Sequence, residues 1–130
     1  SQAFREVTAI IGCVGKAHGS ILINVSEELA CMLAGSLMGE EPDKLDENVL
    51  DGICELCNII AGRCKTFLHK IDSPYAIEKI STPSVVVGSS YFVTHYQGAT
   101  CLSVDFEFGK LAKNPKLDMT LTVGLFLVKM

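Results

Sequence analysis

The sequence predicts an α+β domain in which an antiparallel sheet has two long helices packed on one face. The chain is 130 residues long, which suits one domain spanning residues 1–130, and 48% of its residues are hydrophobic, which is enough for a sizeable core. The elements run in the order two strands, two helices, then about three strands. Such segregation of helices from strands is typical of the α+β class.

The first third of the chain predicts a hairpin followed by a helix. Two strand-like runs, EVTAIIGCVG (residues 6–15) and SILINV (residues 20–25), are joined by a glycine-rich turn. Ser26 is a suitable N-cap, and two acidic residues follow it in the first turn, where the helix dipole favours them. Apolar residues then recur at helical spacing up to Gly39, which is expected to end the helix.

A longer helix is predicted from about Asp46 to about Lys70, after the polar connector EEPDKLDEN. Three strand-like runs follow it, namely SVVVGSSYFVTHY (residues 84–96), TCLSVDFEFG (residues 100–109) and LDMTLTVGLFLVKM (residues 117–130). The first run is rich in β-branched and aromatic residues, as strands are. The second alternates polar and apolar residues, which predicts a strand with one buried face.

Charge and hydropathy exclude several classes of partner. The net charge is −4 and lysines and arginines form no cluster, so neither nucleic acid nor an anionic membrane surface is expected as a partner. No apolar run approaches the roughly 20 residues that a membrane helix needs, and the amino terminus is not a signal peptide. The chain begins almost directly with a strand, which leaves open that a preceding segment is missing.

The cysteines follow no secreted-domain pattern, and most lie in apolar runs: Cys13, Cys31, Cys54, Cys57, Cys64 and Cys101. They indicate buried, reduced thiols in a cytoplasmic protein. Cys54 and Cys57 form a C-x-x-C motif, but a zinc site needs a second pair of ligands that the sequence lacks. The motif also lies within a helix, whereas redox motifs stand at a helix start. A cysteine-based metal or redox protein therefore remains only a minor alternative.

The long helix has two chemically different faces. At about 100° per residue, Asp51, Glu55 and Asn58 fall within about 60° of arc, and Gly62 lies between them. Most apolar residues, Cys57 among them, lie on the opposite side. A solvated helix surface is the simplest interpretation of the polar face. However, Gly62 leaves room for another molecule to approach. Asn58 has neither a charge nor a high helix propensity, so solubility and helix stability do not explain its place on this face.

These residues resemble a family signature. Asp51-x-x-x-Glu55-x-x-Asn58, continued as IIAG, is similar to the D/S-x-x-x-E-x-x-N signature of the CheC, CheX and FliY chemotaxis phosphatases. Residues 7–41 resemble the opening hairpin and first helix of that family, and ISTPSVVVG (residues 80–88) resembles its strand entry after the motif helix. With one copy of the motif instead of two, the chain is most similar to the CheX branch.

The resemblance implies a phosphatase that hydrolyses the aspartyl phosphate of a CheY-like response regulator. In this family the motif helix docks against the regulator, the glutamate pairs with a regulator lysine and the asparagine amide orients the attacking water. These roles fall to Glu55 and Asn58, while Asp51, at the variable first position, and Gly62 are expected to contact the partner. Mg²⁺ is expected in the regulator, with no cofactor bound by this chain.

The resemblance also implies a homodimer, formed by joining sheets across subunits, for which the carboxy-terminal strands are candidates. Many members carry an amino-terminal helix that this chain lacks. The main alternative function is a non-catalytic module of the same fold that binds a regulator, or dimerises, without hydrolysing phosphate; the intact Glu55 and Asn58 argue against it. The sequence names neither the cognate regulator nor its pathway, chemotaxis or another two-component circuit.

Overall fold

A computed structural model describes residues 2–3, 5–88, 92–93, 98–111, 114 and 116–130 of the chain. Within these ranges the elements run in the order β1 (Gln2–Ala3), β2 (Val7–Gly15), β3 (Ala17–Val25), α1 (Glu27–Met38), α2 (Glu47–Lys70), β4 (Ile77–Ile80), β5 (Ser84–Val87), β6 (Phe92–Val93), β7 (Thr100–Glu107) and β8 (Thr120–Lys129), with a short 3-10 helix at Gly109–Leu111 before β8. The predicted α+β class is confirmed.

The main sheet has six strands, in the order β4-β2-β3-β8-β7, and β5 also pairs with β2. All of its pairings are antiparallel. β4 and β5 share one edge of β2, because β4 pairs with Cys13–Gly15 and β5 pairs with Val7–Ile10. The two short strands β1 and β6 form a separate pair. None of the described helices is both long and apolar enough to span a membrane.

Local capping sets the helix ends at the predicted positions. The Ser26 hydroxyl accepts a hydrogen bond from the Leu29 backbone N–H at 3.2 Å, which satisfies one of the free donors at the start of α1. Gly39 ends α1 in the left-handed conformation, with φ at 70°. The Asp46 carboxylate accepts a bond from the Val49 N–H at 2.9 Å and begins α2 in the same way.

The core lies between the helices and one face of the sheet. Its largest fully buried side chains come from β2, β3, β4 and both helices, including Ile11, Ile21, Leu29, Ile53 and Ile77. The two helices approach closely at Gly52, where an added Cβ atom would lie 2.7 Å from the Ala34 Cβ. Gly52 therefore weakens the helix locally but is needed for the contact between α1 and α2.

The strands depart from the predictions in three places. β3 begins at Ala17 rather than at residue 20, although its pairing with β2 ends at the pair of Cys13 and Gly19. β4 was not predicted, because its four residues form a strand only by pairing with β2. The predicted strand over residues 84–96 is divided into β5 and β6, and residues 89–91 and 94–96 of it lie outside the described residues.

The prediction that β7 has one buried face is wrong, because all eight of its residues are exposed. The helix α2 packs mainly on β2 and β4, and it also touches β3 and β5. β7 lies two strands beyond β3, at the edge of the sheet, so its apolar side chains are left uncovered. The apolar side of α2 is also shorter than its helical spacing predicts. Its last fully buried residue is Ala61, and the apolar Phe67 is 59% exposed.

Candidate functional site

The predicted site residues lie together on one exposed stripe of α2. Asp51, Glu55 and Asn58 are exposed, and Gly62 is half-buried one turn further along. The first three span about 10 Å of helix, since each residue adds about 1.5 Å. A Cβ atom added at Gly62 would meet nothing within 4 Å, so the surface there is open. The structure thus brings the four residues onto one surface, as their helical spacing predicts.

A groove of about 360 Å³ runs along this stripe. One wall is formed by α2 and the other by the end of β4 and the segment that joins it to β5; the lining residues are Asp51, Cys54, Glu55, Asn58, Ile80, Ser81, Thr82 and Pro83. The second wall was not among the sequence predictions. Its signal was the Ser-Thr-Pro stretch between two strands, where a proline interrupts β pairing. Cys54 also faces this groove and is half-buried, rather than filling the core.

The carboxylates of the stripe have no partner among the described residues. Asp51 and Glu55 are like charges four residues apart, a spacing that costs a helix a few tenths of a kcal/mol. In the described part of the chain, the side chains of Asp51, Glu55 and Asn58 form no hydrogen bond or salt bridge. None of the described residues that line the groove is cationic. The groove is therefore suited to a positively charged group from another molecule, and poorly suited to a free phosphate ion.

The groove is also a poor metal site. Two carboxylates line it, Asp51 and Glu55, whereas Mg²⁺ takes six oxygen ligands in a near-octahedral arrangement. Across the ranges that the structure describes, no group of three or more histidine, cysteine, aspartate or glutamate side chains could hold a metal ion. The donor set of this groove therefore does not fit a resident cation.

The thiols of α2 are held in their neutral form. All six cysteines of the chain are free, and Cys57 is fully buried, with its Sγ 3.7 Å from the Ala9 carbonyl oxygen. Burial raises the pKa of the Cys57 thiol to about 12 and that of Cys13, on β2, to about 11. Burial, and then the negative charge of Asp51, also raise the pKa of Cys54. Reactive cysteines have lowered pKa values, so this environment does not favour a redox motif.

Comparison with known proteins identifies a family. The sequence model of the family described as "Chemotaxis phosphatase CheX" matches residues 7–107. The CheY-P phosphatase CheX of Thermotoga maritima is 32% identical over 85 residues, which cover 65% of this chain and 53% of that protein. The chain therefore spans about half the length of this curated relative.

Solved structures share the fold. The chemotaxis protein CheX from Vibrio vulnificus superposes with a TM-score of 0.78 at 23% identity, over 98% of this chain and 80% of that one. The CheX in the CheX–CheY–BeF3–Mg²⁺ complex from Borrelia burgdorferi gives a TM-score of 0.73 at 26% identity, over 98% of this chain and 79% of that one.

Proposed function

The chain belongs to the CheX family of chemotaxis phosphatases, and from this premise we propose that it hydrolyses the aspartyl phosphate of a CheY-like response regulator. One observation carries the proposal: the acidic and amide side chains of Glu55 and Asn58 stand exposed, one turn apart, beside an open groove and without partners in the described part of the chain. The relative from Thermotoga maritima is named a CheY-P phosphatase, and the one from Borrelia burgdorferi was solved with CheY.

In this proposal Glu55 docks the regulator. Its carboxylate pairs with the lysine beside the regulator's phosphorylation site, which supplies the cation that the groove lacks. Asp51, one turn earlier, adds a second negative charge to the same surface. Charge complementarity of this kind speeds encounter and fixes the register of the two proteins more than it adds affinity.

Asn58 orients the attacking water. Its amide has both a donor and an acceptor, so it can hold a water molecule in one orientation. Phosphoryl transfer depends on in-line positioning and charge stabilisation, and holding the reactants in attack geometry can remove several kcal/mol of barrier. An aspartyl phosphate is an activated acyl phosphate, so no general base is required of this chain. Gly62 keeps the next turn of α2 clear for the regulator.

Mg²⁺ enters this reaction with the regulator. When bound there it neutralises charge on the phosphoryl group, and the Borrelia burgdorferi complex contains Mg²⁺ together with CheY. This chain binds no cofactor of its own in the proposal, in keeping with the donor set of the groove. Its residues supply docking and orientation only.

The proposal includes a cytoplasmic homodimer built from single domains of residues 1–130. Six free cysteines suit a reducing compartment. The edge strand β7 presents Leu102, Val104 and Phe106, each about half exposed or more, over an apolar groove of about 450 Å³. Exposed edge strands of this kind pair readily with another strand. We expect a second copy of the chain to pair with the edge of β7 and to cover these apolar side chains.

The dimer is tested by sedimentation velocity of the wild-type chain and the variant Val104→Lys. A charge on this face would oppose pairing, so the wild type is expected to sediment as a dimer and the variant as a monomer. A monomeric wild type would contradict this part of the proposal.

The activity is tested by measuring the lifetime of a phosphorylated CheY-type regulator at increasing concentrations of this chain. A saturable shortening of the lifetime is expected. The variant Glu55→Gln keeps the shape of the side chain and removes its charge, so it should need about tenfold more protein for the same effect. Binding to the phosphorylated regulator with an unchanged lifetime would instead establish the non-catalytic alternative.

A further inference from the structure

We propose that the segment Ser81–Pro83 is a second docking element for the regulator, in which Thr82 is a specificity-determining residue and Ser81 is a positioning residue. This inference rests on the proposed function, because it concerns the wall of the same groove that faces Glu55 and Asn58. A regulator segment that enters the groove to reach Asn58 must pass between α2 and this segment.

The sheet register makes this segment bow out of the sheet. Ile80 is paired with Cys13, and Ser84 is paired with Ile10, on the same edge of β2. Residues 81–83 therefore lie opposite only two residues of β2, 11 and 12, which is the arrangement of a β-bulge. Pro83 has no N–H to give to the ladder, so regular pairing cannot continue through it. Bulges of this kind commonly re-aim a side chain beside an active site.

Ser81 fixes the bulged segment to the sheet. Its backbone N–H donates to the Gly12 carbonyl oxygen at 2.9 Å, and its hydroxyl accepts from the Gly12 N–H at 2.9 Å. The same hydroxyl donates to the Thr82 carbonyl oxygen at 3.0 Å. The Ser81 side chain thus takes the place of a backbone acceptor that the bulge removes. These hydrogen bonds hold the segment in position, so Ser81 affects the regulator through the placement of Thr82.

The backbone of Thr82 is conformationally restricted, whereas its side chain is exposed. Because it precedes a proline, its backbone is restricted to extended conformations. It is exposed, and within the described residues its side chain makes no hydrogen bond. Thr82 lines the groove opposite the acidic and amide stripe of α2. A larger side chain at this position would narrow the groove.

The experiment measures KM and kcat with a phosphorylated CheY-type regulator as the varied substrate. Thr82→Arg would narrow the groove and offer Glu55 a cation that competes with the regulator, so KM is expected to rise about tenfold or more while kcat changes less than about twofold. Ser81→Ala is expected to raise KM about fivefold, and Ser81→Thr, which keeps the hydroxyl, to restore it. Ser36→Arg, at an exposed serine on α1 outside the groove, is the matched control and should leave both constants unchanged.

Binding to a non-hydrolysable mimic of the phosphorylated state, the same regulator carrying BeF3 and Mg²⁺, separates failure of this inference from failure of the proposed function. Weaker binding by Thr82→Arg and Ser81→Ala, but not by Ser36→Arg, supports the docking role even if wild type leaves the phosphate lifetime unchanged. Unaltered binding and KM in Thr82→Arg overturn it even if Asn58→Ala abolishes hydrolysis. If Ser81→Thr fails to restore the KM lost in Ser81→Ala, the positioning role of the hydroxyl is wrong.

Discussion

The two faces of α2 differ in whether their side chains pack within the fold or are exposed to a partner. On the inner face, Ile53 and Cys57 are fully buried against the sheet, and Gly52 lies in contact with α1. On the outer face, Glu55 and Asn58 are exposed and have no hydrogen-bonding partner in the described chain. One helix thus combines a packing surface that the fold requires with a polar surface that the fold does not use.

This difference separates stability from activity along the sequence. Inner residues hold the helix against the rest of the fold, so their replacement should lower the free energy of unfolding. Outer residues contribute little to that free energy and are available to a partner. A C-x-x-C motif and an E-x-x-N motif overlap in this helix. Cys57 of the first motif is fully buried and Cys54 is half-buried, whereas Glu55 and Asn58 of the second are both exposed.

The largest expected contrast is between Ile53→Ala and Asn58→Ala. Removing the fully buried Ile53 side chain leaves a cavity, so the free energy of unfolding should fall by about 2–5 kcal/mol. Asn58 is exposed, and its replacement should change that quantity by about 0.5 kcal/mol or less. Urea denaturation of the two variants measures both values. Equal losses would show that the outer face also supports the fold.

The two glycines of α2 sharpen the contrast with a matched substitution. In Gly52→Ala the new methyl group would lie 2.7 Å from the Ala34 Cβ, and the overpacking should cost about 1–3 kcal/mol. In Gly62→Ala the methyl group meets open space, so the better helix propensity should stabilise the protein by up to about 1 kcal/mol.

Activity should move the other way for Gly62→Ala. If the regulator approaches α2 closely at Gly62, this variant melts at a higher temperature yet needs more protein to shorten the phosphate lifetime. Thermal melting and the lifetime assay, made on the same preparation, test both halves. A stabilised variant with unchanged activity would remove Gly62 from the docking surface.

The smallest expected effect concerns the thiols. Burial raises the pKa of Cys57 to about 12 and of Cys13 to about 11, so at pH 7 both remain protonated and enclosed. Brief treatment of the folded protein with iodoacetamide at pH 7 should leave both unmodified, as mass spectrometry would show, while the urea-unfolded protein serves as the reactive control. Rapid labelling of Cys57 would revive the redox interpretation.

The same thiols give stability a defined pH dependence. The unfolded chain ionises its cysteines above the ordinary pKa of 9.0, whereas the folded chain keeps Cys57 protonated up to about 12. The stability due to this difference is complete below pH 9 and is lost as the pH rises towards 12.

The helices could be predicted from sequence because their ends depend on local chemistry. Ser26 and Asp46 cap neighbouring backbone N–H groups, and Gly39 provides the left-handed ending, all within a few residues. β4 could not be predicted in this way, because it becomes a strand through pairing with β2, more than 60 residues earlier in the chain. The exposure of β7 likewise depends on how far α2 extends across the sheet.

The candidate site likewise has one part that depends on local sequence and one part that depends on tertiary structure. The stripe of Asp51, Glu55 and Asn58 follows from helical periodicity alone, so one wall of the groove was predictable. The other wall depends on the register of two strands on one edge of β2 and on the bonds of Ser81 to Gly12. These contacts are set by tertiary structure, which a single sequence does not reveal.

The most direct test of the central claim compares wild type with Asn58→Ala in the decay of a phosphorylated CheY-type regulator. At equal protein concentrations, wild type should shorten the lifetime of the phosphate, and the variant should lose about a hundredfold or more of that acceleration while still binding the regulator. A lifetime that wild type leaves unchanged, or that both proteins shorten equally, would contradict the assignment of chemistry to the outer face of α2.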